Sequence, residues 1–346
     1  MAKRAHISGK REMISRGLYW SGSLALLGQL PARDSLLVLT YHRIGDGDKD
    51  PWDPGVFSAT GDQFDEQVSF LKRKGLLVTL DEALDYIEGT SKDKTARCRV
   101  LITFDDGCLD NYQTAYPILR SHGVQGVFFL CSGLVGTGKV LWWDQVAYFV
   151  KSSSKRQFSL NYPTHLDVDL DRDGLRLSLR RILDLYERVD NKDPERFLSE
   201  LRDTLGVSGL PAETQRYLNW EQAREMLAGG MAHGGHTHSH PRLSLLSPEQ
   251  QRWELTNSRA VLQEKLGINI DTMAYPFGSP TAFTKETESI AKDAGYRAAF
   301  SYYGKMTNAR GTLDRFTEKR VAVDRQSWAR FATQIGMSQF RGKYWP

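Results

Sequence analysis

The sequence predicts an α/β protein built on a parallel sheet, because short apolar segments of strand length alternate with segments of helical periodicity. Several apolar segments are hydrophobic at consecutive positions, which indicates strands covered on both faces, as in a barrel or a doubly wound sheet. Of the 346 residues, 40% are hydrophobic and 25% are charged. A chain of this kind can bury a large core in one or two domains.

The predicted strands share an apolar composition, and each is followed by polar turn residues. They cover residues 36–41, 99–104, 126–131, 271–276 and 297–302.

Two helices between these strands have readable ends. Ser247 is the predicted N-cap of the longer one, with Pro248 at its first position and Gln250 completing a capping box. Gly267 is predicted to end it. A second helix is predicted over residues 64–75.

The domain organisation follows from these patterns. A single barrel domain is expected over residues 36–335, with a charged helical insertion at about 132–218. Residues 1–35 form a basic, amphipathic N-terminal segment, and residues 336–346 a C-terminal tail.

The positive charge is concentrated in the N-terminal segment. Its basic residues, Lys3, Arg4, Lys10, Arg11 and Arg16, outweigh Glu12 and account for the formal net charge of +4. Because the remainder is neutral and shows no basic stripe, no nucleic-acid partner is expected. The apolar stretch that follows is too short and broken to span a bilayer. We expect a first helix packed on the domain, with peripheral membrane contact or a signal peptide as alternatives.

The cysteines indicate a reducing compartment. Cys98, Cys108 and Cys131 are odd in number and widely spaced, so a disulfide framework or a cysteine zinc site is not expected. A cytoplasmic location, with or without membrane association, is the expectation, and a periplasmic or secreted location is the alternative.

The stretch TFDDGCLDN at residues 103–111 carries the first chemical signal. Asp105 and Asp106 stand side by side after a predicted strand. Adjacent carboxylates ionise together most readily when a positive charge lies beside them, which favours a cation site. The alternative is an ordinary Asp-Asp-Gly turn.

The second signal is the histidine-rich stretch HGGHTHSHP at residues 233–241. His236 and His240 are four apart, a spacing that places two imidazoles on one face of a helical turn. With one carboxylate from TFDD they would form a site with three protein ligands and open coordination. Such a site is typical of catalytic zinc or another borderline transition metal, and strand ends of an α/β barrel are where active sites are built.

Together, TFDDG, HTHSHP and the stretch YPFG at residues 275–278 resemble the motifs of the NodB-like polysaccharide deacetylases, carbohydrate esterase family four. The resemblance extends from about residue 36 to residue 331. It implies a distorted (β/α) barrel and one divalent transition metal, zinc first, with nickel, cobalt or manganese as alternatives. It also implies removal of acetyl groups from acetylated sugars.

The resemblance assigns a role to each motif residue. Asp105 would be the general base, and Asp106, His236 and His240 would hold the metal. The backbone N–H of Phe277 would help to bind the oxyanion, and Tyr275 is a candidate substrate-binding residue.

The sequence departs from the family pattern in two motifs. Ala274 stands where the family often has an arginine that orients the base, so Arg320 is a candidate for that task, or else a surface arginine near a strand end. Asp324 and Trp328 match the fourth motif weakly.

A third departure concerns the catalytic acid, since no histidine follows His240. His42 directly follows the first predicted strand, and in a closed barrel a first strand can take the place of a last one. This resembles the permuted poly-N-acetylglucosamine deacetylase branch, with His42 as the acid; a core histidine is the alternative. Trp142 and Trp143 are candidates for a sugar-stacking surface, with core packing as the alternative.

The function predicted is a metal-dependent hydrolase that removes acetyl groups from N-acetylhexosamine units of a polysaccharide, oligosaccharide or lipid-linked glycan. A metal hydrolase of a non-sugar amide is one alternative. A non-catalytic carbohydrate-binding protein is the other, although both aspartates and both histidines are intact.

Overall fold

The computed structural model describes residues 12–21, 34–187, 193–211, 215–303 and 314–341. These residues form two compact units. The barrel unit comprises the described residues of Met1–Ile44, Ser58–Gly136 and Tyr217–Pro346. The insertion unit comprises those of Gly45–Phe57 and Thr137–Arg216.

Eleven strands occur among the described residues. They are β1 (Ser35–Tyr41), β2 (Arg43–Ile44), β3 (Phe57–Ala59), β4 (Cys98–Phe104), β5 (Val127–Leu130), β6 (Gln157–Leu160), β7 (Leu166–Asp169), β8 (Ala232–Gly235), β9 (Thr272–Ala274), β10 (Ala298–Phe300) and β11 (Arg320–Ala322).

The helices follow the same order, and an N-terminal helix over residues 12–20 precedes them. They are α1 (Gly61–Arg73), α2 (Leu80–Glu88), α3 (Tyr116–His122), α4 (Trp142–Ser152), α5 (Leu170–Asp173), α6 (Leu175–Glu187), α7 (Pro194–Leu205), α8 (Trp220–Ala228), α9 (Pro248–Leu266), α10 (Lys285–Asp293) and α11 (Trp328–Arg341). Among the described helices, none combines the length and the apolar character that crossing a bilayer requires.

A seven-stranded parallel sheet forms the barrel, in the order β10-β9-β8-β5-β4-β1-β11. Its two edges meet through the segment before β11. The N–H of Ala299 donates to the Arg315 carbonyl (2.7 Å), and the N–H of Glu318 donates to the Ala299 carbonyl (3.0 Å). The sheet is therefore nearly closed, and the predicted distorted (β/α) barrel is confirmed.

Side-chain alternation along the strands explains where polar residues enter the barrel. In β1, Leu36 and Val38 belong to the core cluster that also contains Phe129 and Phe300, whereas Leu37 and Leu39 pack in a separate cluster. Successive side chains of a strand point to opposite faces. The first polar residue beyond β1, at position 42, therefore continues the side of Leu36 and Val38.

The predicted helix ends are confirmed for α9. The Ser247 hydroxyl accepts from the N–H of Gln250, whose side chain accepts from the N–H of Ser247, and Gly267 ends the helix at φ 69°. Helix α1 begins at Gly61, earlier than the predicted residue 64, because Thr60 provides its own capping box.

Strand β8 was missed by the sequence analysis, because its sequence, AHGG, has little strand propensity. Packing requires glycine at position 234, because a Cβ on Gly234 would lie 2.5 Å from the Phe129 ring and 2.9 Å from the Thr272 carbonyl. Neighbouring strands, not local preference, define this strand.

The insertion unit differs from the expected helical insertion at about 132–218. It spans Thr137–Arg216 together with Gly45–Phe57, and it contains the antiparallel pair β6–β7. Phe158 and Leu160 of β6 pack with Val168 of β7 in the hydrophobic core of the unit. A four-residue strand with alternating burial is too short to be recognised within charged helical sequence.

Both ends of the chain also refine the predicted boundaries. The C-terminal tail expected from residue 336 is wrong for its first part, because α11 continues through Arg341 and buries Ser338. A helix covers residues 12–20 and overlaps only the start of the apolar stretch in which the first helix was expected, whereas residues 1–11 and 22–33 lie outside the described residues.

Candidate metal centre and active site

The predicted site residues lie at the C-terminal ends of the parallel strands. His42 follows β1, Asp105 and Asp106 follow β4, and His236 follows β8. Tyr302 is the second residue after β10. In parallel α/β barrels this edge carries the active site.

Asp105 is paired with Arg320. The Nη1 and Nη2 atoms of Arg320 donate to Oδ1 and Oδ2 of Asp105, both at 2.7 Å, and both side chains are buried. The Arg320 Nε also donates to the Ser301 carbonyl at 2.8 Å, which fixes the plane of the guanidinium. Arg320 is thus a buried partner of Asp105, not a surface arginine.

Opposing effects act on the Asp105 carboxyl. Burial raises its pKa, but the charges of Arg320 and His236 lower it more, so the pKa lies below its usual range. The carboxylate is therefore ionised at neutral pH.

Asp106 points instead toward two imidazoles. Its Oδ1 lies 3.4 Å from Nε2 of His236 and 3.4 Å from Nε2 of His240. Burial raises the pKa of Asp106, but the two histidines more than offset this and hold it well below its usual range. The Nδ1–H of His236 donates to the Ala274 carbonyl at 2.8 Å, which orients the ring so that Nε2 is directed at Asp106.

These three side chains fit a transition-metal ion. One ligand atom from each lies within 4.8 Å of the others, and Asp106 Oδ1 is buried without a hydrogen-bond partner among the described residues. Two imidazole nitrogens and one carboxylate oxygen suit zinc or a similar divalent cation and leave coordination positions open.

The backbone is strained around this centre. Among the described residues, positive φ angles at non-glycine positions occur at Asp106 (74°), Thr237 (63°), His240 (62°) and Phe277 (59°). Such conformations cost free energy and persist where the surrounding structure enforces them. The predicted placement of the two histidines on a helical turn is wrong, because they converge through a tight loop after β8.

Helix α9 holds that loop in place. The buried Glu254 accepts through Oε2 from the backbone N–H groups of His238 (2.8 Å) and Ser239 (2.9 Å). The hydroxyl of Ser258 donates to the Thr237 carbonyl at 2.9 Å. Glu254 was not predicted as a site residue from the sequence. The sequence signal for it was a charged residue on the same helix face as the buried Leu255 and Leu262.

His42 lies beside the carboxylates. Its backbone is held on both sides, because its N–H donates to Ser58 Oγ (3.0 Å) and its carbonyl accepts from Asn111 Nδ2 (2.7 Å). A positive charge on its ring would lower the pKa values of Asp105 and Asp106.

Tyr302 is a site residue that sequence reasoning missed. Its ring packs edge-to-face on His42, with the centroids 5.2 Å apart. Burial raises its pKa, and the nearby carboxylates of Asp324, Asp105 and Asp106 add to this effect. No sequence signal marked Tyr302 as a site residue, because the predicted strand at 297–302 included it.

The YPFG motif does not place its tyrosine as predicted. Tyr275 is fully buried, stacks on Phe283 and donates its hydroxyl to the Phe316 carbonyl (3.0 Å), which argues against substrate contact. The Phe277 ring lies against His240, with centroids 5.1 Å apart. A Cβ on Gly278 would lie 2.3 Å from the backbone nitrogen of Tyr302, so only glycine fits at this position. The oxyanion role of the Phe277 N–H stays a prediction.

The remaining candidates are two tryptophans of the insertion unit and the weak fourth motif. Trp143 is buried, and Trp142 packs on Tyr186 against the hydrophobic core of the insertion unit, while the sugar-stacking role of both stays a prediction. Asp324 is exposed after β11, and Trp328 donates its Nε1–H to the Tyr19 hydroxyl.

Comparison with known proteins adds a family and a fold. The polysaccharide deacetylase family model matches residues 92–161 and 189–299, more than half of the chain. Bacillus subtilis YxkH is 21% identical over 262 residues, which cover 76% of this chain and 62% of YxkH. The poly-beta-1,6-N-acetyl-D-glucosamine N-deacetylase of Staphylococcus epidermidis is 29% identical over 117 residues, 30% of this chain and 39% of that protein. The chain therefore spans less than two thirds of the length of either relative.

Among solved structures, the Streptococcus pyogenes deacetylase PplD in complex with acetate has the same fold. It superposes with a TM-score of 0.56 at 19% identity, covering 87% of this chain and 97% of PplD.

Proposed function

Because the chain belongs to the polysaccharide deacetylase family, we propose that it is a metal-dependent hydrolase that removes the acetyl group from N-acetylhexosamine units of a glycan. One observation carries this proposal. The adjacent carboxylates have separate partners: Asp105 is bound by Arg320, and Asp106 faces His236 and His240. A general base and a cation ligand are thereby available one residue apart.

The cation site would be formed by Asp106, His236 and His240. A divalent metal held there supplies Lewis acidity toward water and toward an amide carbonyl. Zinc is the first choice for this donor set, and the family pattern also allows nickel, cobalt or manganese.

Asp105 would accept the proton of the attacking water. Arg320 keeps the carboxylate ionised and fixes its plane through two parallel hydrogen bonds, which is the task of a positioning residue. Because the carboxylate is already held in one orientation, no conformational entropy is lost in orienting it when the reaction takes place.

His42 would protonate the leaving nitrogen. It belongs to the same strand-end set as Asp105, and its ring is packed by Tyr302. An amine leaves only with a proton, so an acid is needed for amide substrates. The backbone N–H of Phe277 would help to bind the oxyanion.

The substrate class is inferred from chemistry and from one relative. The Staphylococcus epidermidis relative is named for poly-beta-1,6-N-acetyl-D-glucosamine, so an N-acetylglucosamine polymer is the first substrate to test. A lipid-linked precursor of such a polymer presents the same acetamide.

The test is acetate release from N-acetylglucosamine oligomers and from simple acetamides, with and without chelator. We expect release from the oligomers that chelator abolishes and added zinc restores. Release from acetamides alone would indicate a non-sugar amide hydrolase. Glycan binding without release at any metal loading would indicate a binding protein.

A further inference from the structure

The N-terminal helix, residues 12–20, presents an unusual surface. Among the described residues, seven large hydrophobic side chains are exposed, and four of them, Met13, Ile14, Tyr19 and Trp20, lie in this helix. Met13 is 70% exposed and Trp20 80%. A surface tryptophan this exposed is costly in water, and its concentration with other apolar groups marks an interaction site.

One side of the helix is attached to the barrel unit. Ser15 is fully buried, and its carbonyl accepts from the Thr333 hydroxyl of α11 (3.4 Å). The Tyr19 hydroxyl accepts from Trp328 Nε1, also on α11, at 3.1 Å. Residues 15 and 19 are one turn apart, so they define the face that is turned toward the protein.

The opposite face carries the apolar groups. Met13, Gly17 and Trp20 follow each other at spacings of four and three, which places them on one stripe. The stripe lies away from Ser15, which explains why Met13 and Trp20 are so exposed. Packing on the barrel unit therefore fixes which side of the helix faces outward.

The sequence before and within this helix is basic. Lys3, Arg4, Lys10 and Arg11 precede the helix in the sequence, and Arg16 lies on it. Glu12 forms an exposed ion pair with Arg16 (3.0 Å), so it offsets one of these charges. The first 16 residues therefore carry a net charge of +4, whereas the rest of the chain is neutral.

We infer that the outward face of the N-terminal helix binds an anionic lipid bilayer, with Met13 and Trp20 inserted at the level of the headgroups. An apolar stripe with tryptophan, in a segment rich in basic residues, is the composition that interfacial helices use. A protein partner would need a surface that is complementary in shape to the apolar stripe. A fluid bilayer with anionic headgroups accommodates both the apolar stripe and the basic residues without such a surface. The inference is independent of the catalytic proposal.

The test is co-sedimentation of the full chain with vesicles of phosphatidylcholine alone and of equimolar phosphatidylcholine and phosphatidylglycerol. We expect binding to the anionic vesicles that weakens as salt is added. The double variant Met13→Glu, Trp20→Glu should bind roughly tenfold more weakly or worse, because it loses the inserted groups. Replacing Lys10, Arg11 and Arg16 by glutamine should also cost roughly tenfold or more on anionic vesicles, with less effect on neutral ones.

The matched control is Leu245→Glu, which changes a leucine that is 52% exposed on another surface turn. It should bind vesicles like the unaltered chain, and circular dichroism should show all variants to be folded. Absence of vesicle binding, or an equal loss in Leu245→Glu, would overturn the inference. So would a dimer in light scattering that only the Met13, Trp20 variant dissociates, since the face would then be a self-association surface.

Discussion

The pairing of Asp105 with Arg320 gives a quantitative prediction about the stability of the site. Both side chains are buried, and two charge-assisted hydrogen bonds of 2.7 Å join them. Removing one member leaves the other charge buried without its counterion, which typically costs about 3–5 kcal/mol. We therefore expect Arg320→Met and Asp105→Asn each to lower the free energy of unfolding by about that amount.

The double variant separates pairing from loss of packing. Because it removes both charges, its cost should be less than the sum of the two single costs by about 2–3 kcal/mol. The assay is urea unfolding at pH 7 in chelator, followed by fluorescence and circular dichroism through the transition of the barrel unit. The control is Arg315→Met, which breaks a half-exposed contact with Glu88 (3.2 Å) and should cost about 1 kcal/mol or less.

The same variants test the electrostatic role of Arg320. Burial raises the pKa of Asp105, and the guanidinium of Arg320 lowers it. When the guanidinium is removed, the pKa of Asp105 therefore rises, and the acidic limb of the kcat/KM profile moves to higher pH. Additive single costs within about 0.5 kcal/mol, or an Arg320→Met cost no larger than that of Arg315→Met, would refute the reasoning.

Three further predictions concern other residues. His42→Ala should slow hydrolysis of an N-acetyl sugar by roughly 100-fold but spare an activated aryl acetate, with metal content unchanged; equal effects on both substrates would exclude His42 as the acid. Glu254→Gln should weaken zinc affinity about 10- to 100-fold in competition with a chelating dye, because the His238–Ser239 backbone loses its carboxylate anchor; the exposed Glu249→Gln is the control, and equal affinities would contradict the role. Burial lowers the pKa of His233 from 6.5 to about 4. As the pH falls below 6.5, His233 therefore takes up a proton in the unfolded chain but not in the folded protein, and roughly 3 kcal/mol of stability should be lost by pH 4. His233→Gln should lose correspondingly less over this window in urea unfolding, and an unchanged loss would show that His233 does not titrate as argued.

The sequence predicted the elements whose local signals are strong. Strands β1 and β4 are continuous apolar runs, and α9 has a complete capping box with Ser247 and Gln250, so both kinds of element were recognised. Strand β8 was missed because Gly234 is selected by the approach of Phe129 and Thr272, which no local pattern records.

The site was predicted in its residue types but not in its contacts. Asp105 and Arg320 are 215 positions apart, and only the pairing of β1 with both β4 and β11 brings them together. The histidine spacing suggested a helical turn, but left-handed backbone at Thr237 and His240 closes the loop instead. Its support by Glu254 depends on tertiary packing, which spacing alone does not reveal.

The measurement that tests the central claim most directly compares Asp105→Asn with Asp106→Asn. Metal content is determined by elemental analysis after loading with zinc, and acetate release from an N-acetylglucosamine oligomer is measured on the same samples. We predict that Asp105→Asn keeps about one zinc per chain and loses roughly 100-fold or more in turnover, whereas Asp106→Asn loses both zinc and turnover. Equal loss of zinc in the two variants, or full retention in Asp106→Asn, would contradict the division of labour between the adjacent carboxylates.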